Sequence, residues 1–215
     1  MKKQLLALCL PLVLATSSFS ANAAMLLGFD AGVYVWQSET TGTAGSIDAT
    51  GLDGDNTVSY FAFEHPIPFV PNVKLQISDM AVGTGASLVD LSHVDSILYY
   101  EILDNFVSVD VGLTARAFDG SYDSAAFTDT AYLLYASAEV IVPITGLSVG
   151  MEMSKDIGLD DNGINDLKIR VRYELLAGVG VELGQRTVTM DLKESLPNTN
   201  NLEFDGTYLA LTYTF

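Results

Sequence analysis

Apolar and polar positions alternate with a period of two along most of the chain. Residues 106–118 show it best: Val107, Val109, Val111, Leu113, Ala115 and Ala117 share one face, and Ser108, Asp110, Gly112, Thr114 and Arg116 the other. Residues 167–175 repeat it, with Leu167, Ile169, Val171, Tyr173 and Leu175 set against Lys168, Arg170, Arg172 and Glu174. Successive strand side chains point to opposite faces, so this alternation predicts strands with one apolar face. Ten such segments are read near 25–37, 57–64, 73–81, 94–103, 106–118, 129–142, 147–155, 167–175, 178–190 and 204–215. The second is short, which leaves eight strands as the alternative to ten.

The connections alternate in length. Long ones follow the odd-numbered strands, near 38–56, 82–93, 119–128, 156–166 and 191–203. Short ones follow the even-numbered strands: 65–72, Asp104-Asn105, Pro143-Ile144-Thr145-Gly146 and Ala177. Pro66, Pro68, Pro71, Pro143 and Pro197 fall in connections, where a missing N–H costs no ladder hydrogen bond. An even strand count with alternating short and long connections predicts an all-β fold, a transmembrane antiparallel up-and-down β-barrel with both termini on the periplasmic side.

Alternation alone does not say which face points outward, since a soluble barrel alternates too. Charges stand mid-strand among glycines and small residues, as in a polar lumen. Aromatic residues gather toward strand ends, at Trp36, Phe61, Phe63, Tyr99, Tyr100, Phe106, Tyr213 and Phe215, as at two membrane interfaces. Leu209, Leu211, Tyr213 and the terminal Phe215 fall in phase and resemble the C-terminal signal read by the outer-membrane assembly machinery.

The N-terminus supports export. Lys2 and Lys3 precede an apolar stretch over residues 4–16, and Ala21-Asn22-Ala23 forms a small-x-small cleavage site. The stretch falls short of the roughly 20 residues of a membrane helix. Residues 1–23 are therefore expected to be a signal peptide, and 24–215 a single barrel domain. Cys9, the one cysteine, leaves with the signal, so no disulfide is available. The chain carries a net charge of −17, which loss of Lys2 and Lys3 deepens. That excludes nucleic acid, which requires a basic patch. It also coexists with 49% apolar residues, a combination rare in soluble acidic proteins.

A resemblance adds to this. Glu64-His65-Pro66-Ile67-Pro68 with Pro71-Asn72, Tyr99-Tyr100-Glu101-Ile102-Leu103-Asp104-Asn105, Asp119-Gly120, Pro143-Ile144-Thr145-Gly146 and Phe204-Asp205-Gly206 together resemble a small family of outer-membrane β-barrel proteins of unknown function. Its members occur in proteobacteria that carry the rhombosortase and GlyGly-type sorting system. The resemblance spans residues 24–215 and implies the barrel fold and the Gram-negative outer membrane. It implies no activity.

Three groups of residues are candidates for chemistry. By parity, Asp30, Glu101, Asp110, Glu139, Glu152, Glu174 and Glu182 point inward with Lys74, Arg116, Lys168, Arg170, Arg172 and Arg186. Such charges either pair off and plug the interior or line a narrow channel whose strip Lys168, Arg170, Arg172 attracts anions. Ser92, His93, Asp90 and Asp95 lie close in sequence near a long connection, but sequence neighbours on a strand face opposite ways and no nucleophile motif surrounds them. Asp160, Asp161, Asn162, Asn165 and Asp166, and Asp53, Asp55 and Asn56, offer hard oxygens for weak divalent cations. Neither run has calcium-loop spacing. No cofactor is implied. Expected partners are outer-membrane lipids and lipopolysaccharide, with the barrel assembly machinery and periplasmic chaperones during biogenesis. Three roles stay open: structural or interactive, channel, and rim hydrolase.

Overall fold

The computed structural model describes residues 27–44, 47–83, 88–122, 125–158, 163–192 and 200–215. The expected signal peptide, with Ala21 and Ala23, lies outside them, as does Pro197. Ten antiparallel strands form a closed barrel: β1 (Gly28–Ala44), β3 (Asp53–Glu64), β4 (Asn72–Asp79), β7 (His93–Leu103), β8 (Val107–Tyr122), β9 (Ala125–Val142), β10 (Leu147–Asp156), β11 (Gly163–Leu176), β12 (Val179–Asp191) and β13 (Asn200–Thr214). Each pairs with the next, and β13 pairs back onto β1 with Leu211 opposite Val33. Phe29 and Phe215 exchange both backbone hydrogen bonds, at 2.9 and 2.8 Å, and seal the seam at its lower end. Ten strands, not eight, close the structure.

Among the described residues, three two-residue strands lie in the long connections. β2 (Ile47–Asp48) folds back on the end of β1. β5 (Ala81–Val82) and β6 (Val89–Asp90) form a hairpin whose β6 pairs with the end of β8.

Each short connection has a local cause. Ala177 and Gly178 both adopt positive φ, 51° and 80°, as a two-residue hairpin turn requires. The Thr145 hydroxyl donates to Val142 O at 2.8 Å in the Pro143–Gly146 turn. In the proline-rich turn, Asn72 Oδ1 accepts from His65 N at 3.0 Å.

The polarity of the two faces reverses partway along the strands. On β1, Ala31, Val33 and Val35 face out and Asp30, Gly32 and Tyr34 face in; beyond Trp36, Gln37, Glu39 and Thr41 face out. On β12, Val179, Val181 and Leu183 face out over Glu182 and Arg186; above them, Gln185, Thr187 and Thr189 face out over Val188 and Met190. β13 does the same, with Leu209 and Leu211 outward below, and Thr207, Asp205 and Glu203 outward over Phe204 and Leu202 above. The half nearer the short turns is thus apolar outside and polar inside. The half nearer the long connections is polar outside and holds an apolar core of Trp36, Val58, Met80, Val89, Leu91, Phe118, Leu133, Ile164, Val188, Met190, Leu202 and Phe204.

This reversal explains where the strands outrun the sequence reading. β1 continues to Ala44 rather than 37, β3 begins at Asp53 rather than 57, β8 runs to Tyr122 and β11 begins at Gly163. In each case the extra residues lie beyond the switch, where the apolar side chains change face and the pattern loses its phase. Trp36, expected at an interface, is instead fully buried inside, its indole N–H donating to Gly206 O at 3.1 Å. Tyr99 is also interior. Phe61, Tyr100 and Phe106 face outward.

Candidate functional site: a charge-paired interior

The inner face of the lower half carries six of the eight Lys and Arg residues that follow residue 23: Lys74, Arg116, Lys168, Arg170, Arg172 and Arg186. Every one is in an ion pair, and the pairs stack in layers. The layer next to the apolar core is a chain of four. Arg116 grips Asp95 through Nε and Nη2 at 2.7 and 2.8 Å and reaches Asp166 at 2.7 Å. Arg186 holds the same Asp166 through Nε and Nη2 at 3.0 and 2.7 Å. Arg116, Asp95 and Arg186 are almost fully buried. Guanidiniums suit this place because their planar fork meets a carboxylate in two parallel bonds and offsets part of the desolvation.

The next layer centres on Glu152. Lys74 approaches it at 2.5 Å, Lys168 at 3.1 Å and Arg170 at 3.7 Å. Both lysine ammoniums sit within 6 Å of tyrosine rings, Lys74 against Tyr60 and Tyr135, Lys168 against Tyr34 and Tyr60. Below, Arg170 pairs with Glu139 at 2.7 Å, and Arg172 joins Glu182 and Asp30 at 3.0 and 3.3 Å. The Tyr208 hydroxyl donates to Glu182 at 2.7 Å.

A polar cavity of about 180 Å³ opens toward the short-turn end and reaches up to the Glu152 layer, with Glu64, Asp110, Glu139, Glu152, Arg170 and Arg172 among its lining. Tyr99 donates to Glu64 at 2.8 Å. A second space of about 10 Å³ lies between Gln76, Arg116 and Lys168, at the scale of one water molecule. The interior therefore narrows from an open vestibule, through interlocked charges, to an apolar core.

Of the residues expected in the lumen, Lys74, Arg116, Glu139, Glu152, Lys168, Arg170, Arg172, Glu182 and Arg186 meet there, and Asp110 lines the vestibule. Glu101 and Glu174 do not. Both are exposed at strand ends, and Glu174 Oε1 accepts from the Gly178 N–H of the hairpin turn at 3.3 Å. Parity holds for them, but the barrel wall ends before it encloses them.

Two further acids, Asp95 and Asp166, are interior. Asp166, expected in an acidic loop, lies on β11 in phase with Lys168, Arg170 and Arg172. Asp95, grouped with His93, belongs to Arg116. Asp166 falls one residue before the strand read at 167–175, and Asp95 already lies within 94–103, in phase with Glu101, so parity alone points it inward.

The other groups separate. Ser92 and His93 face opposite ways. The Ser92 hydroxyl donates to Asp90 at 2.6 Å, while His93 points inward against Phe118, with Nδ1 2.9 Å from Leu91 O. That carbonyl is an acceptor, so Nδ1 carries the proton. Ser92, His93 and an acid therefore form no hydrogen-bonded relay. Asp53 and Asp55 face outward on β3, whereas Asn56 is buried and bonds Ser38 and Ala81 N, so this run is a strand and not a cation loop. Asp160, Asp161 and Asn162 lie outside the described residues. Among the described residues no group of His, Cys, Asp and Glu is arranged to hold a metal ion.

Leu209, Leu211, Tyr213 and Phe215 share the outer face at the β1–β13 seam.

No family model and no curated protein matches the chain. Among solved structures, the outer membrane protease OmpT from Escherichia coli matches with a TM-score of 0.46 and 8% identity, over 88% of this chain and 97% of that one. A likeness of that degree transfers neither residues nor activity.

Proposed function

We propose that this chain is an integral outer-membrane β-barrel with a structural or interaction role in the cell envelope, and that it does not conduct. The observation that carries the reading is the reversal of face polarity along the strands. A soluble barrel has no use for an outer band of Val33, Val35, Leu98, Leu113, Ile169, Leu183, Leu209 and Leu211, each 40% exposed or more. A bilayer requires one, together with a closed ladder that leaves no strand edge. The long-connection half, with its polar exterior and apolar core, then projects from the membrane as a water-exposed body, and both ends of the barrel chain lie on the periplasmic side. Lipids and lipopolysaccharide surround the band, and the assembly machinery reads the Leu209–Phe215 strand. Membership of the small barrel family that the turn motifs resemble fits this reading.

The interior argues against a channel. An ion entering from the vestibule meets cations already neutralised by carboxylates and then a dry apolar core, and both raise its barrier. The test is planar-bilayer conductance of the refolded protein beside heat-modifiability on a gel. The expected result is a heat-modifiable band with no discrete conductance steps. Steps that change in Arg170→Gln or Arg172→Gln would overturn the sealed-interior reading in favour of a channel.

A further inference from the structure

The turn between β3 and β4 carries no charged side chain from Pro66 to Val73. It exposes Ile67, Phe69 and Val70, with Phe69 at 95%. Phe69 also has a φ of 66°, a conformation that bulky L-residues avoid. The turn between β9 and β10 repeats the feature: Ile144, β-branched, has a φ of 72° and a fully exposed side chain. Two of the four short turns thus hold a large apolar side chain out in an unfavourable backbone conformation, and water gives nothing that would offset it.

The direction of the first turn is fixed. Tyr100 lies on the outer face of β7, and its hydroxyl donates to Phe69 O at 3.0 Å. That bond ties the turn to the outer wall rather than over the vestibule. Beside it the outer face continues with Phe29, whose ring lies 5.8 Å from that of Phe61 and 5.1 Å from that of Phe63, and then with Val73 and Leu98.

We propose that the short-turn rim is seated in the hydrocarbon–headgroup boundary of a phospholipid leaflet, with Phe69 and Ile144 as its anchors. Lipid is the occupant because the apolar surface is continuous with the outer band and the β3–β4 turn has no charge to desolvate. Aromatic and aliphatic side chains at that depth leave water while the turn backbone keeps its hydrogen bonds. The proposal rests on the membrane-barrel reading.

Depth-dependent quenching tests it. In a Cys9→Ser background, which removes the chain's one cysteine, single cysteines replace Phe69, Ile144, Leu98 and Gln185. Val70→Cys is added because it keeps Phe69. Each carries a bimane label, and the protein is refolded into phosphatidylethanolamine–phosphatidylglycerol vesicles with lipids brominated at shallow or deep positions. The expected result is strong loss of fluorescence at Leu98 with deep bromines, loss at positions 69, 70 and 144 chiefly with shallow bromines, and little at Gln185. If Leu98 is quenched while 69, 70 and 144 behave like Gln185, the rim is solvated or covered by protein and the proposal falls while the barrel reading stands. If Leu98 is not quenched in the folded protein, the barrel reading falls and takes the proposal with it.

Discussion

The Arg186 guanidinium lies over the Trp36 indole, 4.9 Å from the ring centroid. Arg186 ends the charged layers and Trp36 begins the apolar core, so this contact marks the plane where the barrel's inner and outer surfaces exchange character. A cation on an aromatic face suits such a boundary, since it satisfies charge on one side and packs carbon on the other.

Asp166 is the carboxylate shared by Arg116 and Arg186. Asp166→Ala leaves Arg186 buried without a carboxylate and is expected to cost about 3–5 kcal/mol. Urea unfolding in detergent micelles would show it as a lowered midpoint. Asp166→Leu combined with Arg186→Met should recover much of that loss, because Arg116 keeps its paired bonds to Asp95.

Charge placed on the outer band should discriminate the two halves. Leu183→Arg puts a cation in the apolar region and is expected to destabilise by about 2–4 kcal/mol. Thr187→Arg, four residues along the same face but past the reversal, should change little. Equal effects in bilayer unfolding titrations would contradict the boundary.

Gly206 on β13 stands opposite Ser38 on β1 in the ladder that closes the barrel. A Cβ there would run into Gln37 O and lie 2.8 Å from Ser38 Cα, both backbone atoms that cannot swing aside. Gly206→Ala is expected to part the seam above Thr207 and lower the yield of heat-modifiable protein, whereas Thr207→Ala, facing outward beside it, should fold normally.

The apolar core above the charges should behave as a water-soluble protein's core does. Phe204→Ala removes a fully buried ring and is expected to cost about 3–5 kcal/mol. Hydrogen exchange would locate the loss in the long-connection half.

Much of this was readable from the residues, and for an identifiable reason. Val107 to Ala117 and Leu167 to Leu175 alternate cleanly because one environment lies on each side of the wall. The alternation loses its phase where the environments swap: Glu39, Asp53 and Asp166 sit in strands whose polar residues belong outside or at the switch, so they look like loop. Inward charges followed from parity as long as the wall enclosed them, which it does for Glu152 and Glu182 but not for Glu174. Asp95 stands directly opposite Arg116 in the β7–β8 ladder, a pairing that the short turn between those strands sets, but Asp166 reaches Arg116 from β11 across the lumen, a distance that no local spacing encodes.

Drawing six cations inside leaves the outer surface nearly all of one sign. Lys155 is the one lysine or arginine outside the lumen among the described residues, while Glu39, Asp53, Asp55, Asp79, Asp119, Glu203 and Asp205 stand on strands above the apolar band. Copies in one membrane would meet at that level as like-charged bodies, repelling over roughly a Debye length, about 8 Å at physiological salt. Lateral crowding is therefore opposed by the same burial of cations that closes the interior, and salt governs how near two copies can come.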